Sequence, residues 1–222
     1  MLVAMSLHGY AQIDEDKTGA WYMYFFNAGF GESKFGFQGD IQYRNWNLGG
    51  DLEQLLLRGG LNYQPAGSKA RFTLGYGNIS TGVMGEDQSI SSERRIYQEA
   101  LLPHHPFSRV YLTHRFRYEQ RFVEGQDFRT RYRYTLFMNV PLNKPAIQPG
   151  AVYIALYNEL FINGQRSIGD SREVELYDRN RTYLGVGYGV LDNLRVQAGW
   201  MLQATDNWTK GQLQVSLHHR IF

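Results

Sequence analysis

Between Arg109 and Val140 the chain reads RVYLTHRFRYEQRF, then VEGQD, then FRTRYRYTLFMNV. Every second residue of the first run, Val110, Leu112, His114, Phe116, Tyr118, Gln120 and Phe122, falls on one side. Arg109, Tyr111, Thr113, Arg115, Arg117, Glu119 and Arg121 fall on the other. The second run repeats the pattern. Tyr132, Tyr134, Leu136, Met138 and Val140 share a face opposite Arg129, Arg131, Arg133, Thr135 and Asn139. Alternation over this length marks two β-strands, because successive strand side chains point to opposite faces. Both runs exceed the usual strand of about 5–6 residues. They reach the roughly 9–11 residues that a tilted membrane-spanning strand needs. The arginine face cannot be the lipid face, since one arginine at the bilayer midplane costs about 2–4 kcal/mol. It must look into a wet or ion-paired lumen.

The chain has 222 residues, enough for one barrel domain and little more. Mean hydropathy is −0.44, and no apolar run is long enough for a transmembrane helix. A low mean is compatible with a membrane barrel, because lumen residues dilute the lipid-facing ones. Cysteine is absent, which says little about compartment. A net charge of +2, with arginines alternating among aromatics and not gathered in one patch, argues against a nucleic-acid partner. The opening MLVAMSLHGYAQ reads as the tail of a secretory signal, with Gly9 and Ala11 as small residues before a cut at Gln12. The expected organisation is therefore a signal remnant at 1–11 and a single barrel domain at 12–222.

Alternation continues along the chain. Phe35, Phe37, Ile41 and Tyr43 face outward against Gln38, Asp40, Gln42 and Arg44 inward; Leu57 and Leu61 oppose Arg58 and Asn62; Phe72, Leu74 and Tyr76 oppose Arg71 and Thr73. Arg95 and Glu99 turn inward from the least regular segment. Tyr153, Tyr157 and Glu159 are inward, as are Arg181, Tyr183 and three glycines of the next segment, then Arg195 and Gln197. Short connections at 31–33, 64–68, 103–106 and 191–193 alternate with longer ones at 80–92, 163–178 and 205–211. That is the outer-membrane pattern of short periplasmic turns and long external loops, and it places Phe222 at the periplasmic end. Eleven segments can be counted, but single-chain bacterial barrels have even strand numbers. The expectation is an all-β, transmembrane, antiparallel up-and-down barrel of 10 or 12 strands in a bacterial outer membrane. The register of Leu213, Val215 and Leu217 excludes Phe222, and a bulge near His218-His219 would repair it.

The hairpin LTHRFRYEQRF…RTRYRYTL, with YNELFIN at 157–163, DRNRTYLGVGYGV at 178–190 and NLRVQAGW at 193–200, resembles a family of bacterial outer-membrane proteins catalogued as domain of unknown function 2490. The resemblance covers most of the chain and is strongest from Glu93 onward. It implies an outer-membrane barrel and no known activity, so it supplies no catalytic residue.

The inward side chains suit two chemistries. One is a packed ladder in which Glu119 and Glu159 bridge Arg115, Arg117, Arg121, Arg129, Arg131, Arg133, Arg181 and Arg195, while Tyr153, Tyr157 and Tyr183 stack on guanidinium planes. Arg44, Arg58, Arg71, Arg95 and Arg109 join the inward cations, with Asp40 and Glu99 among the acids. The other is a narrow path for small anions, since arginine rings select for them. A barrel of this size is narrow and its residues are large, which favours the ladder. A barrel-embedded lipid-modifying hydrolase is a third reading, but it needs a nucleophile, a base and an orienting acid. His114 faces outward with only Thr113 and Ser108 nearby. His104-His105 and His218-His219 lack spaced ligand partners for a metal. Glu86, Asp87, Asp170, Glu173 and Glu175 lack the spacing of a calcium loop. Of the tryptophans, Trp21, Trp200 and Trp208 fit interface anchoring, and Trp46 fits a lumen plug. The sequence thus implies a non-catalytic structural or accessory protein. It implies no cofactor and no metal. The expected partners are membrane lipid, lipopolysaccharide and, through the last strand, the barrel-assembly machinery.

Overall fold

The computed structural model describes residues 17–85 and 89–221. These form eleven strands: β1 (Gly19–Gly29), β2 (Phe35–Asn45), β3 (Leu52–Tyr63), β4 (Arg71–Gly82), β5 (Ile90–Phe107), β6 (Val110–Val123), β7 (Arg129–Pro141), β8 (Val152–Asn163), β9 (Tyr177–Leu191), β10 (Leu194–Ala204) and β11 (Thr209–Arg220). Among the described residues no helix is long and apolar enough to cross a membrane. Each strand pairs antiparallel with the next, and β1 closes the barrel against β11 in parallel. Closure leaves no strand edge exposed.

The count corrects the expectation of 10 or 12 strands. Hairpins reverse direction at every step, so with an odd number the first and last strands run the same way and must pair in parallel. The β1–β11 register runs unbroken from Gly19↔Gln212 to Asn27↔Arg220. The β10–β11 register is equally regular from Leu194↔His219 to Ala204↔Thr209. No bulge therefore interrupts His218-His219, which corrects the repair expected there. Phe222, the signal-like run at 1–11, and Glu86 and Asp87 lie outside the described residues.

A second correction concerns Pro103-His104-His105-Pro106. These residues continue β5, and the turn is Ser108-Arg109. Prolines supply no N–H to a ladder; Pro106 lies in the register shift between His104 and Phe107, where a bulge tolerates it, while Pro103 stays in register opposite Thr113. Arg109 consequently leaves the lumen and sits exposed in the turn, with its Nη1 donating to the Leu142 carbonyl at 3.3 Å.

The turns at 30–34, 64–70, 108–109 and 192–193 share one mouth of the barrel with the proline-rich connection 142–151. The connections 46–51, 124–128, 164–176 and 205–208 share the other, which also holds the start of β1. We call these the turn mouth and the loop mouth. At the turn mouth, connection 142–151 folds against the wall: Gly150 N–H donates to Gly189 O at 2.8 Å, and Gly189 N–H to Ala151 O at 2.9 Å. A Cβ on Gly189 would lie 2.3 Å from the Gln148 carbonyl, so this inward position must be glycine for the connection to seat.

Polarity is inverted relative to a water-soluble core. Leu61, Leu74 and Leu184 are 60, 61 and 57 % exposed, while Glu119 and Arg131 are 1 and 4 % exposed. The alternation in β2–β4 and β6–β10 assigns each face as the sequence implies. The lumen has two unlike walls. Trp21, Tyr153, Ala155, Tyr183 and Met201 form an apolar cluster on β1 and β8–β10, joined by Met23, Tyr157 and Ile147 from the connection at the turn mouth. Charged and neutral polar side chains make up most of the rest, with Leu56, Ile79, Tyr97 and Phe161 buried among them.

Candidate functional site

The charged wall is built by cross-strand pairing. Register places Glu119 opposite Arg131, Arg117 opposite Arg133 and Glu159 opposite Arg181, all with inward parity. Glu119 accepts from Arg131 Nη2 at 2.7 Å and from Arg133 Nη1 at 2.6 Å, with Arg95 and Arg117 each 3.9 Å away. Glu159 accepts from Arg115 at 2.7 Å and Arg133 at 2.5 Å, and lies 3.7 Å from Arg181. Arg117 binds Glu99 at 2.5 Å, and Arg58 binds Asp40 at 3.0 Å. Arg133 thus joins the two glutamates into one connected network. Such charge-assisted bonds are about twice as strong as neutral ones, and buried charges persist only when paired in this way.

Three acids missing from the sequence-derived set complete the network: Glu53, Glu93 and Asp178. Glu93 binds Arg95 at 2.7 Å and Arg121 at 2.5 Å. Two residues before Arg95 on one strand, it shares that inward face, so parity alone identifies it. Asp178 binds Arg131 at 2.7 Å and Arg179 at 3.0 Å. Glu53 accepts from the indole Nε1 of Trp21 at 2.7 Å. Both Glu53 and Asp178 sit where the ladder shifts by one residue, between Arg44↔Gln54 and Asn45↔Leu52 and between Phe161↔Arg179 and Ile162↔Tyr177. A bulge re-aims the extra side chain, and strict alternation cannot foresee it.

The aromatic partners also differ from expectation. Tyr153, Tyr157 and Tyr183 do not stack on guanidiniums. Tyr157 and Tyr183 stack on each other, with ring centroids 5.0 Å apart and planes 14° apart. Tyr157 donates to Gln214 at 2.9 Å, and Tyr153 accepts from Gln197 at 3.1 Å. The guanidiniums choose other rings. Arg44 and Arg181 flank Trp21 at 3.7 and 4.8 Å. Arg131, Arg133 and Arg181 gather on Phe161 at 5.1, 4.6 and 4.7 Å, and Arg117 lies 4.4 Å from Tyr97. A planar guanidinium is attracted to the electron-rich face of an aromatic ring and stacks on it. Trp21, and not Trp46, is therefore the lumen tryptophan: it is 2 % exposed, whereas Trp46 Nε1 caps the Gly82 carbonyl at 3.2 Å.

Arg129 is buried beside the loop mouth, opposite Arg121. Arg195 is half-buried opposite Gly189 and His218, far along the strand from the network, and among the described residues no carboxylate lies within ion-pairing distance of it. His114 faces outward, with its Nδ1 2.9 Å from the Tyr134 hydroxyl. Ser216 Oγ and His218 Nε2 are 3.0 Å apart, an arrangement of nucleophile and base, but His218 stacks on Phe25 and the described residues supply no acid to orient it. No group of three metal-ligating side chains occurs among the described residues.

Close to the loop mouth the arginines enclose a cavity of about 50 Å³. Eight guanidiniums line it, from Arg44, Arg58, Arg95, Arg121, Arg131, Arg133, Arg179 and Arg181, together with Gln54, Leu56 and Phe161.

Fold and interior together define a class: a closed β-barrel with an apolar exterior and an ion-paired, cation-rich lumen. The chain belongs to the family of proteins of unknown function DUF2490, whose model matches residues 18–214. No curated protein and no solved structure matches it.

Proposed function

We propose that this protein is a bacterial outer-membrane barrel whose lumen is a packed charge ladder, and that it serves as a structural or accessory component without catalysis. The observation that carries this reading is the inverted partition of side chains. Exposed leucines on the outward face of the strands range from Leu217 at 36 % to Leu74 at 61 %, while guanidiniums and carboxylates on the opposite face are buried. An exterior of this kind is costly in water and stable in acyl chains, where a closed barrel also satisfies every backbone group. The partners this reading implies are lipid, lipopolysaccharide and the barrel-assembly machinery.

Membrane fractionation after expression with a cleavable signal tests the location. Heat-modifiable mobility in the outer-membrane fraction supports the reading, and a folded protein in the soluble fraction overturns it. The narrow anion pore is the second reading, favoured by the excess of guanidiniums over carboxylates in the lumen. Planar-bilayer recording separates the two. Anion-selective steps lost on Arg117→Glu support the pore, and an electrically silent membrane supports the ladder. Mass spectrometry of lipid A with and without the protein tests a lipid-modifying activity, and no mass change removes it.

A further inference from the structure

Charge inside the barrel does not balance. Among the described residues nine arginines are buried (Arg44, Arg58, Arg95, Arg117, Arg121, Arg129, Arg131, Arg133 and Arg181) against six buried carboxylates (Asp40, Glu53, Glu93, Glu99, Glu119 and Glu159). The imbalance is concentrated around the cavity near the loop mouth, which eight guanidiniums line and no carboxylate does. Two of its arginines are satisfied largely by neutral groups. Arg44 donates to the amide oxygens of Gln42 and Gln54 at 2.5 and 2.9 Å. Arg181 donates to Gln203 at 2.6 Å, with Glu159 only at 3.7 Å. Nη1 of Arg58, Nη1 of Arg121 and both terminal nitrogens of Arg181 donate no hydrogen bond to any described residue. Cations held this close repel one another, and burying unpaired charge is costly.

We propose that this cavity binds one small free tetrahedral oxyanion of the phosphate or sulfate class. The dimensions select the ligand. A water-sized atom needs roughly 10–15 Å³ of such space, so a volume of about 50 Å³ holds about four, the number of oxygens in phosphate or sulfate. Chloride fills it incompletely, and a nucleotide or sugar does not fit. Guanidinium forks match oxyanion geometry with paired donors, and the unused donors of Arg58, Arg121 and Arg181 come from three different strands around it. Arg179, whose side chain is 27 % exposed, is the most exposed of the lining arginines and lies at the loop-mouth end of β9.

The inference needs the closed lumen but not the membrane, so it is tested on the refolded full chain in detergent micelles. Isothermal titration calorimetry with inorganic phosphate, in phosphate-free zwitterionic buffer at constant ionic strength, is expected to show saturable one-to-one binding. Arg181→Gln weakens it at least tenfold, while Arg195→Gln, outside the cavity, leaves it unchanged. If Arg181→Gln does not fold, as judged by heat-modifiable mobility, Arg44→Gln carries the comparison. A parallel titration with short-chain phosphatidic acid separates a free ion from a lipid headgroup. Binding of the ester but not of inorganic phosphate overturns the proposal. So does the absence of saturable heat, or wild-type affinity in the folded cavity variant. Failure of membrane localisation leaves the calorimetric result untouched.

Discussion

Glu119→Gln asks how much of the barrel's stability rests on charge inside the lumen. Glu119 is 1 % exposed. It holds Arg131 at 2.7 Å and Arg133 at 2.6 Å, with Arg95 and Arg117 at 3.9 Å. Glutamine keeps the shape and one acceptor oxygen but removes the charge shared by four guanidiniums, each of which keeps another carboxylate: Asp178 for Arg131, Glu159 for Arg133, Glu93 for Arg95 and Glu99 for Arg117. Removing one partner of a buried ionic contact costs about 3–5 kcal/mol, and the remaining carboxylates place this change at the lower end, about 3 kcal/mol. That is at least about a 100-fold loss in the folding equilibrium constant. Glu173→Gln is the control. Its pair with Arg166 is 3.4 Å long with side chains 63 and 57 % exposed, and such surface pairs contribute at most about 1 kcal/mol. Reversible urea unfolding in phospholipid vesicles, followed by tryptophan emission, measures both. The expected outcome is a large drop in the midpoint for Glu119→Gln and almost none for Glu173→Gln. Equal midpoints for the two variants would refute the view that the ladder is held by its carboxylates.

Three further outcomes are expected. Trp21→Ala removes the ring between Arg44 and Arg181 and the donor to Glu53, and costs about 3–5 kcal/mol in the same unfolding assay. Gly187→Ala puts a Cβ 2.1 Å from Cζ of the fully buried Tyr153 and costs about 1–3 kcal/mol by overpacking, whereas Gly49→Ala, with open space around its position, is neutral. Leu184→Arg, at a position 57 % exposed in the middle of β9, lowers stability in vesicles by about 2–4 kcal/mol if the exterior faces acyl chains; a change below about 1 kcal/mol contradicts a lipid-facing surface.

Much of the barrel was legible as parity. Arginines at 115, 117, 121, 129, 131 and 133 face inward because two-residue periodicity is a property of the strand itself. The same rule fails at two shifts of register, where Glu53 and Asp178 are the extra residues. It also fails past a strand end: Arg109 falls in the turn before β6, where strand parity no longer applies. Parity also gives a face but not a neighbour. Arg44 is the cross-strand neighbour of Trp21 in the β1–β2 hairpin, but Arg181 lies 160 positions away on β9, and only closure of the barrel brings it to the same ring.

The strand count teaches a different lesson. Eleven alternating segments are visible in the chain, and the preference for an even number rests on barrels that close antiparallel. Physics demands only that the edges be paired, since an open edge in lipid leaves backbone N–H and C=O groups without partners. Parallel pairing meets that demand with slightly weaker bonds. Here β1 and β11 pair along nearly the whole of β1, from Gly19↔Gln212 to Asn27↔Arg220. Outward side chains support the seam, with Tyr24 Oη 2.9 Å from His219 Nδ1, and inward ones do too, with Phe25 stacked on His218 at 5.0 Å. Side-chain contacts on both faces of the seam supplement the weaker backbone ladder, so the odd count is a stable solution and the segments need no merging or splitting to reach an even one.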